Sequence, residues 1–159
     1  MNLLRICGSM GVALNQLNIE EILQTNEQSS KHGLVLIAEE AKGLIEARNR
    51  AIQSHGRVEM GIEVIKKIIV AFCTSIYMDP EDYASTLNEL IEVFYFMKNE
   101  TEDRIGDDDL ICIMQHFFDN SSRGSVELLK SRDMELFARN SRCQNEEAEH
   151  SLEGETSDE

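Results

Sequence analysis

Apolar residues recur along most of this chain at the three- and four-residue spacing of amphipathic helices. Residues 38–54 form the clearest such stretch, and Gly56 follows them at the position where helices commonly end in the left-handed conformation. Residues 61–76 are rich in β-branched side chains, but about sixteen residues exceed an ordinary strand and so predict another helix. The pattern therefore favours a bundle of helices over a sheet.

The first quarter of the chain contains a capping pattern and a glycine stop. Asn18 followed by Glu21 predicts the start of a helix over about residues 19–28, because both side chains can satisfy free amides of a first turn. Gly33 then marks where the chain leaves that helix. Residues 34–37 are apolar but have no second strand to pair with, so we interpret them as a lead-in to the next helix.

Capping residues also mark the helices of the second half. Residues 79–82 read Asp-Pro-Glu-Asp, and they predict the start of a long helix through about Lys98, since aspartate caps and proline suits the first helical position. Three aspartates beginning at Asp107 open a further helix, because carboxylates favour the positive end of the helix dipole. Gly124 and Ser125 predict a turn and the cap of a last helix.

The charge is uneven along the chain. Its formal net charge is −15, and residues 143–159 contain seven acidic residues with no lysine or arginine. Such a segment buries too little apolar area to offset the entropy lost on ordering. We therefore predict an all-α domain, a compact bundle of about six helices over residues 1–142, followed by a disordered acidic C-terminal tail. The acidic excess argues against nucleic acid as a partner.

Composition also limits the compartment and the chemistry. The four cysteines are scattered without a C-x-x-C pair or a histidine at zinc-ligand spacing, so we predict no metal site and no cofactor. No apolar run approaches a membrane span and no basic leader is present, which favours a cytoplasmic protein without a membrane partner. Phosphate-binding glycine loops and nucleophile-elbow motifs are missing, so no catalytic residue is predicted.

Aromatic residues suggest an interaction surface. Phe94, Tyr95 and Phe96 make the far end of the long helix apolar almost all round, and Phe117 and Phe118 follow on the next helix. Such an end is buried between layers or covered by another chain. The leading interpretation is a non-enzymatic protein-interaction module with a protein partner, or self-association as a homodimer, which is the simplest way to cover such a surface.

A second interpretation places a small-molecule or metal-binding site, with or without enzymatic activity, in a cleft between helices. The residues that could form it are Arg48, Arg50, His55, Arg57 and Glu59, which cluster around the end of the second predicted helix and its glycine turn. Polar groups that converge in a cleft are the usual basis of such sites. The sequence leaves both interpretations open.

Arg48 needs a separate explanation because it lies on the apolar face of its helix. A charge on such a face is costly unless it is paired, so a buried carboxylate such as Glu92 or Glu100 is the expected partner. A stem that reaches along the apolar surface to solvent is an alternative. The pairing would make Arg48 a structural contact or the floor of a small anionic site.

Three stretches of the chain carry a family resemblance: AEEAKGLIEARNRAIQSHGRVEMG, FYFMKNETEDRIGDDDLI and GSVELLKSRDMELFAR. Read in this order, over about residues 15–140, they resemble a family of small bacterial proteins of unknown function. The resemblance implies a helical fold and an intracellular setting. It contains no catalytic signature and implies no functional residues.

Overall fold

The computed structural model describes the backbone of residues 3–153 and the side chains of residues 14–144. Over this part the chain contains helices and no strands, in agreement with the all-α prediction. In chain order the helices are α1 (Leu3–Gln24), α2 (Asn26–Ser29), α3 (Ala38–Ser54), α4 (Glu63–Phe72), α5 (Tyr83–Glu100), α6 (Asp107–Asp119), α7 (Val126–Leu128) and α8 (Glu135–Glu153). Six of these have ten residues or more, which confirms the expected number. None of the described helices has the length and apolarity that a bilayer crossing requires.

Helix α5 lies at the centre of the bundle. It packs against α3 along much of its length and also contacts α4, α6 and α7, while α4 packs against α6. An edge-to-face pair of Phe72 and Phe118, with ring centroids 5.3 Å apart, joins α4 to α6. Buried apolar side chains from these helices form one continuous core. Burial of each large side chain contributes about 1.5–3 kcal/mol, so this core is the main stabilising feature of the fold.

The central position of α5 explains the apolar character of its far end. Phe94, Tyr95 and Phe118 are buried in the chain's own core, while Phe96 and Phe117 are partly buried against it. A helix that contacts neighbours on several sides needs apolar residues on several sides. Burial between layers, rather than coverage by a second chain, is therefore what the structure shows for the three buried rings.

Helix α1 begins earlier than the sequence predicted. It starts at Leu3 and continues through Asn18, so Asn18 is an internal helical residue and its predicted role as a cap is wrong. Capping preferences act locally, and residues before Asn18 continue the helix in the amino-terminal direction. The predicted stop at Gly33 is confirmed, because this glycine adopts φ of 77° after the 3₁₀ turn Ser30–His32.

Helix α5 starts three residues later than Pro80, and α4 ends before the predicted limit. Asp79 caps a turn instead of the helix: its Oδ1 accepts from the Glu81 N–H at 2.9 Å. After α4 the chain turns at Ser75, whose hydroxyl donates to Asp119 Oδ1 at 2.5 Å. Ile76, the last residue of the helix predicted over residues 61–76, lies beyond this turn and is 87% exposed, so that predicted helix end is wrong.

The carboxyl end of the chain differs from the disordered tail that was predicted. Helix α8 continues past residue 142 to Glu153, so disorder over residues 143–159 is not confirmed. Residues 154–159 lie outside the described residues. A π-helical turn, Leu129–Met134, directly precedes α8. Its Asp133 accepts hydrogen bonds from Ser121 and Ser122.

Residues 34–37 form the extended lead-in to α3 that the sequence predicted. Leu34 and Leu36 are buried and the residues between and after them are exposed, as in a strand that faces the core on one side. The side chain of Asn26 replaces the missing strand partner. Its amide nitrogen donates to the Leu36 carbonyl and its amide oxygen accepts from the Leu36 N–H, both at 2.9 Å.

This pairing predicts that Asn26→Asp destabilises the fold. A carboxylate can still accept from the Leu36 N–H but has no hydrogen to donate to the Leu36 carbonyl. We expect the free energy of unfolding to fall by about 1–2 kcal/mol, measured by urea denaturation with an unchanged slope. Asn26→Ala, which loses both hydrogen bonds, serves as the comparison. An aspartate variant as stable as the natural chain would contradict the pairing.

Candidate functional site

The loop between α3 and α4 presents two different faces. Residues 57–60 belong to no helix, and their side chains alternate between partly buried and exposed. Arg57 and Glu59 are partly buried and turn toward the protein, whereas Val58 and Met60 are 89% and 90% exposed. This is the two-residue period of an extended segment. The loop therefore carries polar groups on its inner face and apolar groups on its outer face.

Hydrogen bonds hold this loop at both ends. At its start Gly56 has φ of 64°, and the next residue, Arg57, donates its N–H to the Ile52 carbonyl at 2.8 Å. At its end the Arg48 guanidinium donates to the Gly61 carbonyl at 2.5 Å. Arg48 is only 7% exposed, so this contact lies inside the protein. The loop is thus fixed by the helix that precedes it.

The contacts of Arg48 correct its predicted pairing. Neither Glu92 nor Glu100 binds it, and no carboxylate of the described residues lies within 4 Å of its nitrogen atoms. Glu100 instead lies 3.4 Å from Arg142. Arg48 donates to a backbone carbonyl and, through Nε, to the Asn49 side chain at 2.9 Å. Neutral oxygen atoms therefore satisfy this buried charge, and its stem does not lead to solvent.

Beneath the loop a cleft of about 290 Å³ separates the end of α3 from the end of α5. We call it the α3–α5 cleft. Its lining residues come from the turn after α3, from the last two turns of α5 and from the residues after α5, and they are His55, Gly56, Arg57, Tyr95, Lys98, Asn99, Glu102 and Asp103. Its volume is at the lower end of the range for small-molecule sites.

The charged groups of the α3–α5 cleft are paired with one another. Arg57 lies 2.6 Å from Asp103 and 3.8 Å from Glu59. Lys98, which is almost fully buried, lies 2.8 Å from Asp107 and donates to the Ile105 carbonyl. Its hydrogen bond with Arg57 lowers the pKa of Asp103, which keeps that carboxylate charged. Each of these charged groups therefore lies within 4 Å of a group of opposite charge.

Two residues of the cleft have an unusual backbone conformation. Glu102 and Asp103 follow α5 with φ of 52° and 58°, in the left-handed region that disfavours side chains other than glycine. The Asp103 N–H donates to the Lys98 carbonyl at 2.9 Å, and its side chain binds Arg57. These contacts hold the strained turn in place. Such conformations persist where the surrounding structure fixes them, and they are common at functional sites.

Two buried polar groups, the Tyr95 hydroxyl and the Glu59 carboxylate, lie side by side next to the cleft. Tyr95 is 1% exposed and lines the cleft, whereas the buried Glu59 Oε2 lies 3.8 Å from Arg57 Nε. The two groups are neighbours. Burial, and then the adjacent Glu59 carboxylate, raise the pKa of Tyr95 far above its usual range, so the hydroxyl keeps its proton. Each of the two groups has the other as its polar neighbour, as buried polar groups in native proteins usually do.

The structure brings most of the predicted binding residues together at this loop. His55 and Arg57 line the cleft, Glu59 lies beside Tyr95 without lining the cleft, and Arg48 holds the end of the loop. Arg50 does not join them, because it is exposed on α3 and does not line the cleft. Among the described residues, no group of three histidines, cysteines or acids is placed to hold a metal ion.

Sequence reasoning missed the contribution of α5 to the cleft. Tyr95 was assigned to an interface, and Lys98, Asn99, Glu102 and Asp103 were not considered as site residues. Arg57 and Asp103 are separated by 46 positions in the chain, so no local pattern joins them. The one signal in the sequence for this wall of the cleft was Lys98, a charged residue directly after the apolar end of α5.

Comparison with known proteins gives a family and no described function. A family model described as "Family of unknown function (DUF6323)" matches residues 21–147, which include the loop and the whole α3–α5 cleft. No curated protein and no solved structure matches the chain. The predicted resemblance to a family of unknown function is thereby confirmed.

Proposed function

We propose that this chain, which belongs to the family of unknown function DUF6323, is a non-enzymatic protein-interaction module that binds a partner through the loop between α3 and α4. The observation that carries the proposal is the exposure of Val58 and Met60, at 89% and 90%. Isolated exposed apolar residues are ordinary, but these two lie on the same face of one short segment. We call this pair the Val58–Met60 surface.

The fixed backbone of the loop supports a role in binding. The contacts of Arg57 with Ile52 and of Arg48 with Gly61 hold both ends of the segment in the free protein. Ordering a loop on association opposes binding, and a loop that is already held avoids much of that cost. The Val58–Met60 surface is therefore presented in one arrangement rather than many.

Charge favours a different protein over a second copy of this chain as the partner. Exposed acids stand near the Val58–Met60 surface, with Glu63 at the start of α4 and Glu102 and Asp103 across the cleft. The chain as a whole carries −15, so two copies repel each other. A partner with an apolar pocket would accommodate Val58 and Met60, and a rim of lysine or arginine around that pocket would attract the neighbouring acids. Homodimerisation remains the alternative.

The double variant Val58→Ser/Met60→Ser tests the proposal. We expect it to keep the stability of the natural chain within about 0.5 kcal/mol, because both side chains are exposed. A partner captured from lysate of the source cells and then purified should bind this variant about tenfold or more weakly, measured by calorimetry. Light scattering on the free chain measures the association state in parallel.

Ile76→Ser provides the matched control, because Ile76 is an equally exposed apolar residue in the turn after α4. It should leave the affinity for the purified partner unchanged. Equal affinities for the double variant and the natural chain would contradict the assignment of the surface. A natural chain that is dimeric, and becomes monomeric in the double variant, would show self-association instead of a heterologous partner.

A further inference from the structure

The methionines of this chain differ in their access to water. The chain contains seven, and the structure describes the side chains of five. Met60 is 90% exposed, whereas the other four of these five have exposed fractions between 0% and 8%: Met78, Met97, Met114 and Met134. A dissolved oxidant can therefore reach the Met60 sulfur in the folded protein. It can reach the four buried sulfurs only when the core opens.

A chemical change at the Met60 sulfur would alter the Val58–Met60 surface and not the core. The neighbouring residue Gly61 is held through its carbonyl by Arg48, and this contact does not involve the Met60 side chain. Oxidation of a methionine to its sulfoxide turns a flexible apolar side chain into a polar one. On an exposed side chain the new oxygen is hydrated by water and disrupts no buried contact. The surface would thus lose apolar area while its backbone stays in place.

We propose that Met60 is a site of reversible oxidation that switches off partner binding at the Val58–Met60 surface, with hydrogen peroxide as the oxidant. The peroxide O–O bond breaks and one oxygen atom bonds to the thioether sulfur, so the sulfur is oxidised and the peroxide is reduced to water. A thiol-dependent methionine sulfoxide reductase reverses the step: the oxygen leaves as water and the thiols become a disulfide. The switch rests on the proposed function, because it acts on the same surface.

Binding and oxidation oppose each other at this position. A partner with an apolar pocket would have to bury the sulfoxide oxygen without offering it a hydrogen-bond donor, which costs free energy. The same pocket, when it is occupied by the reduced side chain, shields the sulfur from peroxide. Because such coupling is reciprocal, oxidation weakens binding and binding slows oxidation.

Mass spectrometry of peptides from the full natural chain, after exposure to hydrogen peroxide, tests the site. Excess dithiothreitol added afterwards reverses sulfenic acids and disulfides at the exposed Cys112 and Cys143 and leaves methionine sulfoxide in place. We expect Met60 to be oxidised about tenfold or more faster than the four buried methionines, with an unchanged circular dichroism spectrum. Equal rates at Met60 and at the buried methionines would overturn the proposal, as would unfolding that accompanies oxidation of Met60.

Met60→Leu is the control for the switch, because leucine is apolar and similar in size but has no sulfur, and the variant keeps every other methionine. Each chain is treated with peroxide, desalted and compared with its own untreated sample, so any effect of leucine itself on affinity cancels. Peroxide should weaken binding of the natural chain to the purified partner about tenfold, measured by calorimetry. It should not change the affinity of Met60→Leu.

The double variant Val58→Ser/Met60→Ser separates failure of the switch from failure of the proposed function. If the oxidised natural chain binds as tightly as the reduced one while the double variant binds weakly, the switch is wrong and the proposed function stands. A loss of affinity in peroxide-treated Met60→Leu equal to that of the natural chain would likewise overturn the switch, because another residue would then be responsible. If the double variant binds as the natural chain does, the proposed function and the switch both fail.

Discussion

Phe94→Ala should lower the free energy of unfolding by about 3–5 kcal/mol without changing the association state of the chain. Phe94 is fully buried on α5 and packs edge-to-face against Tyr95, with ring centroids 5.0 Å apart. Removal of the ring leaves a cavity in the core that the neighbouring helices cannot fill completely. A loss of this size is a large part of the 5–15 kcal/mol that stabilises a typical domain. Urea denaturation measures the loss, and light scattering measures the molar mass.

Phe96→Ala is the matched comparison on the same helix. Its ring is only partly buried and lies under the Lys130 ammonium, 5.3 Å from the ring centroid. We expect a loss of about 1–2 kcal/mol, because part of this ring already contacts water. If Phe94→Ala instead kept its stability and altered the molar mass, the ring would belong to an interface between chains. Such a result would restore the interface that the sequence suggested.

The helices were predictable wherever one face alone is apolar. Residues 38–54 carry a single apolar stripe and are followed by Gly56, and α3 has these same bounds in the structure. Helix α6 likewise begins at the predicted Asp107. Local signals suffice in these cases because the period, the cap and the stop agree with one another. The predicted helix start was wrong where a capping residue lies inside a longer helix, as Asn18 does in α1.

The aromatic end of α5 shows what periodicity cannot determine. Apolar residues on all sides of a helix indicate that every side is covered, but they do not identify the covering element. In the fold α5 is central, and its neighbours in the bundle cover Phe94 and Tyr95. A prediction of contact with another chain required knowledge of the tertiary arrangement, which one sequence does not supply.

The sequence predicted one wall of the α3–α5 cleft and not the other. Arg57 and Glu59 stood out because polar residues cluster beside a glycine turn; Arg57 lines the cleft and Glu59 lies 3.8 Å from it. The opposite wall comes from α5, and its Asp103 meets Arg57 only after the two helices have packed. Arg48 is a further example, since its acceptor is the Gly61 backbone carbonyl and carries no signature in the sequence. The sequence shows which side chains can form ion pairs or hydrogen bonds. It does not show which distant residue or which backbone carbonyl each of them contacts.

Gly124→Ala should reduce the free energy of unfolding by about 2–5 kcal/mol, for two separate reasons. Gly124 has φ of 82°, which costs a residue with a side chain about 1–2 kcal/mol. A Cβ at this position would also lie 2.5 Å from the Tyr77 Cβ and 2.9 Å from its Cγ. Neither atom is at the flexible end of that side chain, so the backbone must move, at a cost of about 1–3 kcal/mol.

Gly33→Ala separates these two contributions to the loss at Gly124. Gly33 has a similar φ of 77°, but a Cβ there would meet no atom within 4 Å, so only the conformational cost of about 1–2 kcal/mol applies. Urea denaturation of both variants, with unchanged slopes, gives the difference directly. Equal losses would show that Tyr77 yields without cost and that φ alone selects glycine at position 124. A larger loss at Gly124 would show that close contact with Tyr77, in the turn after α4, holds the turn between α6 and α7 against the bundle.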